Sequence, residues 1–303
     1  MAPAVPRRNL LSVDTQPPDA VPPRTRRRVL AIVWLPALAA VLLIRFRTRW
    51  PAYTALHKSL ADRGVPEWVR NLDSVLVLVA ASLLGAWLAH RALAPARAST
   101  AHAAGDRPAT TPAMLGLRRG ERGWPRVVLV ALAPMVVGGL VLGVRNGNIP
   151  APASTVVPAV WSGVVRAAVQ EELFFRGLLV AVPAAAIGWA GRAFWVNASF
   201  AAALFGAMHI RWTLEGLSGG WGTLLMTFAG GLWFAWLLAR WRTLWVPMIL
   251  HAGMNLGWML AAAEGGAGGG GLIENLLRAA TIALATWLTI RRTAGPTGEH
   301  DAA

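Results

Sequence analysis

The chain has 303 residues, of which 55% are hydrophobic and only 14% are charged, and its mean hydropathy is +0.49. A soluble protein of this length usually carries about 25% charged residues, so the composition predicts a membrane protein and argues against a soluble domain. The formal net charge is +15, and the sequence contains no cysteine, which excludes disulfides, thiolate metal sites and a cysteine nucleophile.

The chain opens with a proline- and arginine-rich segment, residues 1–28, which we interpret as a disordered basic tail. Apolar runs then follow one another, each close to or above the about 20 residues that cross about 30 Å of hydrocarbon. They predict an all-α fold, a polytopic transmembrane helical bundle of about eight spans. The runs are 29–46, 73–94, 126–144, 155–185, 193–212, 221–240, 244–263 and 272–290.

Two stretches depart from a simple succession of spans. The run 155–185 is too long for one straight span, which predicts a re-entrant or interfacial piece or a break near Pro183. The segment 95–123 is rich in alanine, threonine, proline and arginine, and we interpret it as a loop.

We divide the chain into four parts on this basis. They are the tail 1–28, N-terminal transmembrane helices with a basic loop at 29–125, a core at 126–290 that contains the polar motifs below, and a C-terminal tail at 291–303.

The positive charge is concentrated in the tail and the loops. This distribution is typical of anchors at the ends of membrane spans, and no basic, aromatic platform of the kind that binds nucleic acid is present. With the N-terminus inside, most arginines fall in inside segments, and the basic loop 47–72 is the one exception. We therefore predict a multi-pass protein of the cell membrane, in a bacterium its inner membrane, with lipids as its neighbours.

Three polar clusters interrupt the apolar runs: EELFFR at 171–176, FGAMH at 205–209 and HAGMN at 251–255. An ionisable side chain in hydrocarbon costs at least about 2.5–3.5 kcal/mol, so such residues indicate a functional site. Residues four apart share a helix face, so Glu172 can pair with Arg176, either as a structural ion pair or as part of a site. Glu171 points elsewhere and is left for another role.

The other two clusters supply histidine and asparagine. A lone intramembrane histidine is usually a core residue bonded to a backbone carbonyl, but here His209 and His251 accompany two glutamates. His251 and Asn255 lie one helical turn apart and both carry N–H donors, and two such donors aimed at one point form an oxyanion hole. The set is suited to activating water within a membrane.

These motifs resemble the CPBP family of intramembrane proteases, which includes the type II CAAX prenyl endopeptidases and many bacterial relatives. The family pattern is Glu-Glu-x-x-x-Arg, then Phe-x-x-x-His, then His-x-x-x-Asn, each in its own membrane segment, and this chain contains all three in that order. The resemblance covers about residues 155–260 and makes 126–290 the protease core.

The resemblance implies peptide-bond hydrolysis within the membrane. It assigns Glu171 and His209 to deprotonation of the attacking water, and Glu172 and Arg176 to orienting the site. It assigns His251 and Asn255 to the oxyanion. The implied substrate is a hydrophobic or membrane-anchored polypeptide.

The sequence leaves the mechanism and two other functions open. Two histidines and a glutamate can in principle hold Zn²⁺, but we favour a glutamate-type mechanism with no cofactor, because His251 and Asn255 are better explained as donors than as ligands. A non-catalytic scaffold or immunity protein of the same fold is the first alternative. A proton-coupled transporter is the second, although no internal repeat is visible.

Overall fold

The computed structural model describes residues 21–104, 110–149, 152–261 and 271–294. Within these ranges the chain is helical and contains no strand, so the predicted all-α fold is confirmed. The helices, in chain order, are α1 (Pro23–Phe46), α2 (Pro51–Asp62), α3 (Glu67–Arg70), α4 (Leu72–Ala104), α5 (Thr111–Met114), α6 (Trp124–Arg145), α7 (153–187), α8 (Gly191–Met208), α9 (Leu214–Trp241), α10 (Trp245–Ala261) and α11 (Leu272–Ala294).

Four of the described helices are long and apolar enough to cross a membrane, judged by length and composition. These spans are Pro23–Arg49, Leu72–Ala96, Trp124–Arg145 and Leu214–Trp241. They identify a membrane protein, and the count of about eight spans stays a prediction.

Two segments that the sequence analysis treated as irregular are helical. Helix α1 already begins at Pro23, so the last residues of the predicted tail belong to it, with proline in the first turn, where its missing N–H costs nothing. Helix α4 continues through Pro95 to Ala104, into the predicted loop, because the alanines and the arginine there are strong helix formers. Residues 1–20 and 105–109 lie outside the described residues. In the rest of the predicted loop, Thr111–Met114 form the short helix α5, and the chain from there to Trp124 is irregular.

Helix α7 carries the first polar motif and is wound in an unusual way. Two of its stretches, Val160–Arg166 and Glu172–Ala181, are π-helical, a geometry that is rare and concentrated at functional sites. The predicted break near Pro183 does not occur. Pro183 lies in the first turn of the α-helical segment Val182–Ile187, where the winding changes from π to α and the helix runs on.

Close helix contacts hold the elements that bear the motifs. A Cβ atom added to Gly139 of α6 would meet the backbone of Gly257 of α10, and one added to Gly257 would meet the backbone of Met135. Small residues of this kind let membrane helices approach closely. Helix α8 packs in a similar way against α9, so α8 and α10 are both fixed by glycine-mediated contacts.

The loops at one end of the bundle are joined to one another. The Thr243 hydroxyl donates to the backbone oxygen of Arg118 at 2.7 Å, which connects the α9–α10 turn to the segment before α6. The guanidinium groups of Arg118 and Arg242 lie 5.8 and 4.8 Å from the ring of Trp189, which follows α7. Arginines from two different loops therefore meet at one end of the fold.

Candidate active site

The three motifs converge although they lie on three different helices. The Glu171 Oε2 atom, on α7, is 4.0 Å from Nε2 of His209, just past the end of α8, and 3.9 Å from Nε2 of His251 on α10. The side chain of Glu171 is 21% exposed, and that of His209 is 33% exposed. A carboxylate and two imidazole nitrogens thus surround one accessible point.

Two buried charged side chains, Glu172 and Arg176, form a network that holds His251 at this point. Glu172 and Arg176 are 0% and 2% exposed, and their Oε1 and Nη1 atoms are 3.1 Å apart, so the predicted pairing is present. The same Glu172 oxygen is 2.8 Å from Nδ1 of His251. The guanidinium of Arg176 lies 4.1 Å from the ring of Phe205 and 5.2 Å from that of Phe234. Aromatic faces stabilise a cation that is removed from water, so the two rings add to the ion pair with Glu172 in offsetting the burial of Arg176.

The hydrogen-bond partners define which nitrogen of each histidine carries the proton. Nδ1 of His209 is 2.8 Å from the backbone oxygen of Phe205, and a carbonyl only accepts, so this nitrogen donates. Nδ1 of His251 faces a carboxylate oxygen and donates in the same way. In their neutral forms both rings therefore present an Nε2 lone pair toward Glu171. His251 can donate from Nε2 only as the imidazolium.

Asn255 is tied to α7. Its Nδ2 atom donates to the backbone oxygen of Gly163 at 3.0 Å, within the first π-helical stretch. An asparagine amide carries two N–H bonds, so this contact fixes the side chain and leaves a second donor.

Sequence reasoning did not find two partners of the site. The ring of Phe234, on α9, stacks on His251 with centroids 5.7 Å apart and an interplanar angle of 23°. The Gly163 carbonyl, which holds Asn255, is a backbone group. Phe234 is one of many apolar residues in its helix, and no spacing links it to a motif. The Phe of the second motif, Phe205, was visible, but its role as acceptor for His209 and as a surface for Arg176 required the fold.

The geometry can be tested against a zinc site. Nitrogen and oxygen ligands at about 2.0–2.1 Å from tetrahedral Zn²⁺ lie about 3.3 Å from each other. The Glu171 oxygen is 3.9 and 4.0 Å from the two imidazole nitrogens. In the part of the chain that the structure describes, no group of three His, Cys, Asp or Glu side chains is placed to hold a metal ion. The residues as positioned do not form a zinc site.

Comparison with known proteins identifies the segment that contains this arrangement. Residues 152–257 match the family model described as "Type II CAAX prenyl endopeptidase Rce1-like". Over this segment the chain is similar to the Rce1-like family. The resemblance drawn from the three motifs is thereby confirmed, and its bacterial branch stays a prediction. No curated protein and no solved structure gave a match.

The Rce1-like segment contains all six residues singled out in the sequence and all of the contacts between them. The family indicates a protease, and the apolar helices place it in a membrane. The N-terminal helices α1 to α6 lie outside the matched residues.

Proposed function

We propose that this Rce1-like protein is an intramembrane endopeptidase in which Glu171 and His209 activate the water that attacks a peptide bond. One observation carries the proposal. The Glu171 carboxylate faces the two Nε2 atoms at 3.9–4.0 Å, while both histidines are held through Nδ1.

That separation is too long for a direct hydrogen bond and suits one bridging water. A water oxygen about 2.8 Å from both Glu171 Oε2 and His209 Nε2 would donate one hydrogen to each, at an angle of about 90° between them. As its oxygen bonds to the scissile carbonyl carbon, one proton passes to the Glu171 carboxylate. Glu171 then protonates the leaving amine nitrogen as the C–N bond breaks, which restores the carboxylate and completes the hydrolysis.

The developing oxyanion needs donors. The second N–H of Asn255 is one candidate, and Nε2–H of His251 in its imidazolium form is the other. Glu172 stabilises that cation through Nδ1, and Arg176 balances the charge of Glu172, so the buried pair orients the site. One oxyanion-hole donor is worth about 10²–10³ in kcat, so both residues matter for rate.

We propose that this mechanism is of the glutamate type and uses no metal ion. The distances between the Glu171 oxygen and the Nε2 atoms of His209 and His251 support this, because they suit a bridging water better than a zinc ion. We expect a chelator such as 1,10-phenanthroline to leave the rate of the purified protein within about twofold. A loss of activity that added zinc restores would instead establish a metalloprotease.

The substrate we propose is a hydrophobic or lipid-anchored polypeptide that approaches from within the bilayer of a bacterial inner membrane, which the protein crosses several times. A groove of about 520 Å³ supports lateral access. It runs between α1 and α8 and is lined by apolar side chains, and one end of it reaches Ala207, two residues before His209. Its lining residues are Trp34, Leu38, Phe200, Ala203, Leu204 and Ala207.

A cleavage survey in cells tests the proposal and identifies the substrate. Membrane-anchored and exported proteins would be searched for new termini in cells that express the wild type, Glu171→Ala or His209→Ala at equal abundance. We expect termini that are present only with the wild type. If both variants, folded and inserted, give the wild-type pattern, the protein is a non-catalytic scaffold.

A further inference from the structure

His209 lies at an exposed helix end, and the carbonyl groups there need partners. The last backbone carbonyls of a helix accept no hydrogen bond from within that helix, so side chains, water or tightened turns must donate to them. At the end of α8, Nδ1 of His209 itself donates to the Phe205 carbonyl at 2.8 Å. Nε1 of Trp212 donates to the Ala207 carbonyl at 2.7 Å. In the turn after the helix, the backbone carbonyl of Ile210 accepts from a guanidinium nitrogen of Arg45.

Arg45 comes from the other end of the sequence. It is the second-to-last residue of α1, in the part of the chain that precedes the Rce1-like residues 152–257. Its guanidinium lies 5.2 Å from the ring centroid of Trp212. Its neighbour Phe46 meets the same indole edge to face, with centroids 6.0 Å apart. Helix α1 thus binds the 209–213 turn by a hydrogen bond, a cation–π contact and an aromatic contact.

These three contacts, which we call the clasp, connect α1 to the end of α8. Further along, the same two helices flank the open apolar groove, with Trp34 of α1 reaching Asn197 of α8 through a 3.0 Å hydrogen bond. At the other end of the groove, Arg45 joins the turn that follows His209. The contact is therefore placed where it can fix the imidazole without closing the groove.

We propose that Arg45 is a positioning residue for His209: it holds the 209–213 turn so that Nε2 of His209 stays directed at Glu171. This inference rests on the proposed function, and it assigns a role in the catalytic geometry to a residue outside the matched family segment. A displacement of about 1 Å in a reacting group can cost about 10²-fold in rate, so a loosened turn lowers kcat.

Two variants and one control separate this role from a general loss of structure. Arg45→Gln removes the cation and the guanidinium fork, whereas Arg45→Lys keeps a cation that can still reach the Ile210 carbonyl and the Trp212 ring. Arg91→Gln is the matched control, because Arg91 also lies over a tryptophan, at 5.0 Å from the ring of Trp87, but within α4.

Two readouts are needed, one of which does not depend on activity. The chain has no cysteine, so a nitroxide on Arg211→Cys, an exposed position in the turn, reports its mobility by electron paramagnetic resonance. Turnover is measured in liposomes with a quenched fluorogenic peptide that ends in a farnesylated Cys-aliphatic-aliphatic-X motif, the probe that the family description suggests.

We expect Arg45→Gln to raise the label's mobility and to lower kcat about tenfold with KM within about twofold. Arg45→Lys should recover most of both, and Arg91→Gln should match the wild type. A turn that loosens at unchanged kcat, or a kcat that falls at unchanged mobility, would overturn the positioning role. If the wild type cleaves neither this peptide nor any cellular protein, the proposed function fails. Unchanged label mobility in Arg45→Gln would separately overturn the claim that Arg45 holds the turn.

Discussion

Two adjacent glutamates have different surroundings, and their chemistry differs accordingly. Glu172 is buried, paired with Arg176 and bonded to His251. Glu171 is partly exposed and stands back from both Nε2 atoms by the space of one water. A charge that is buried and paired orients its neighbours, whereas an accessible carboxylate beside a gap can exchange a proton.

The buried pair gives a prediction about stability. Glu172→Gln leaves the guanidinium of Arg176 buried without its counter-charge, which costs about 3–5 kcal/mol in comparable buried pairs. We expect a clear fall in the midpoint of thermal unfolding in detergent. The double variant Glu172→Gln with Arg176→Met should recover much of this loss, because it removes both charges together. A midpoint for Glu172→Gln equal to that of the wild type would show that the pair does not stabilise the fold.

The sequence predicted the contact within one helix but not the contacts between helices. The spacing of Glu172 and Arg176 predicted their contact, because a helix of any winding close to α brings them to one face. It could not predict that Glu172 also holds His251, since that contact joins residues on separate helices. The division of labour between Nδ1 and Nε2 likewise depends on a backbone carbonyl and a distant carboxylate.

At the scale of the helix, the winding of α7 and the glycines of its neighbours shape the site. The hydrophobic runs predicted helices correctly, but apolar periodicity does not distinguish π from α winding. The length of the run 155–185 suggested a re-entrant piece or a break near Pro183, whereas the helix continues through this proline. Composition also led to the prediction of a loop at 95–123, but in its first part, up to Ala104, helix propensity prevails over the single Pro95.

Neighbouring glycines on α9 offer a matched test of helix packing. A Cβ added to Gly231 would lie 2.8 Å from Cβ of Ala202 on α8 and 3.1 Å from its Cα, whereas one added to Gly230 would meet nothing within 4 Å. We expect Gly231→Ala to lower the unfolding midpoint and Gly230→Ala to leave it unchanged or raise it, because alanine favours helix by about 0.5–1 kcal/mol over glycine. Equal midpoints for the two variants would contradict the close α8–α9 contact.

At the scale of the whole molecule, the arginine-bearing loops meet at one end of the bundle. The contacts among Arg118, Trp189, Arg242 and Thr243 agree with the orientation inferred from the charge distribution, in which the basic side faces the cytoplasm. The basic stretch around α2 belongs to the opposite end, and charge counting alone could not assign it.

Single cysteines can determine this orientation, because the wild-type chain has none. Lys58→Cys lies in α2, before α4, and Arg119→Cys lies after it. In spheroplasts, we expect a membrane-impermeant maleimide to label Lys58→Cys directly and Arg119→Cys only after permeabilisation. The reverse pattern would invert the orientation, and direct labelling of both would mean that α4 does not cross the membrane.

The central claim is that Glu171 activates water for peptide hydrolysis. The most direct measurement is the turnover, by purified protein in liposomes, of the farnesylated fluorogenic peptide and of its unprenylated counterpart. Glu171→Gln keeps the size of the side chain and removes its basicity. Glu215→Gln, in the exposed first turn of α9, is the control. We predict cleavage by the wild type and by Glu215→Gln, and a loss of at least about 10³-fold in kcat for Glu171→Gln with the unfolding midpoint retained. Cleavage by folded Glu171→Gln at the wild-type rate would contradict the account.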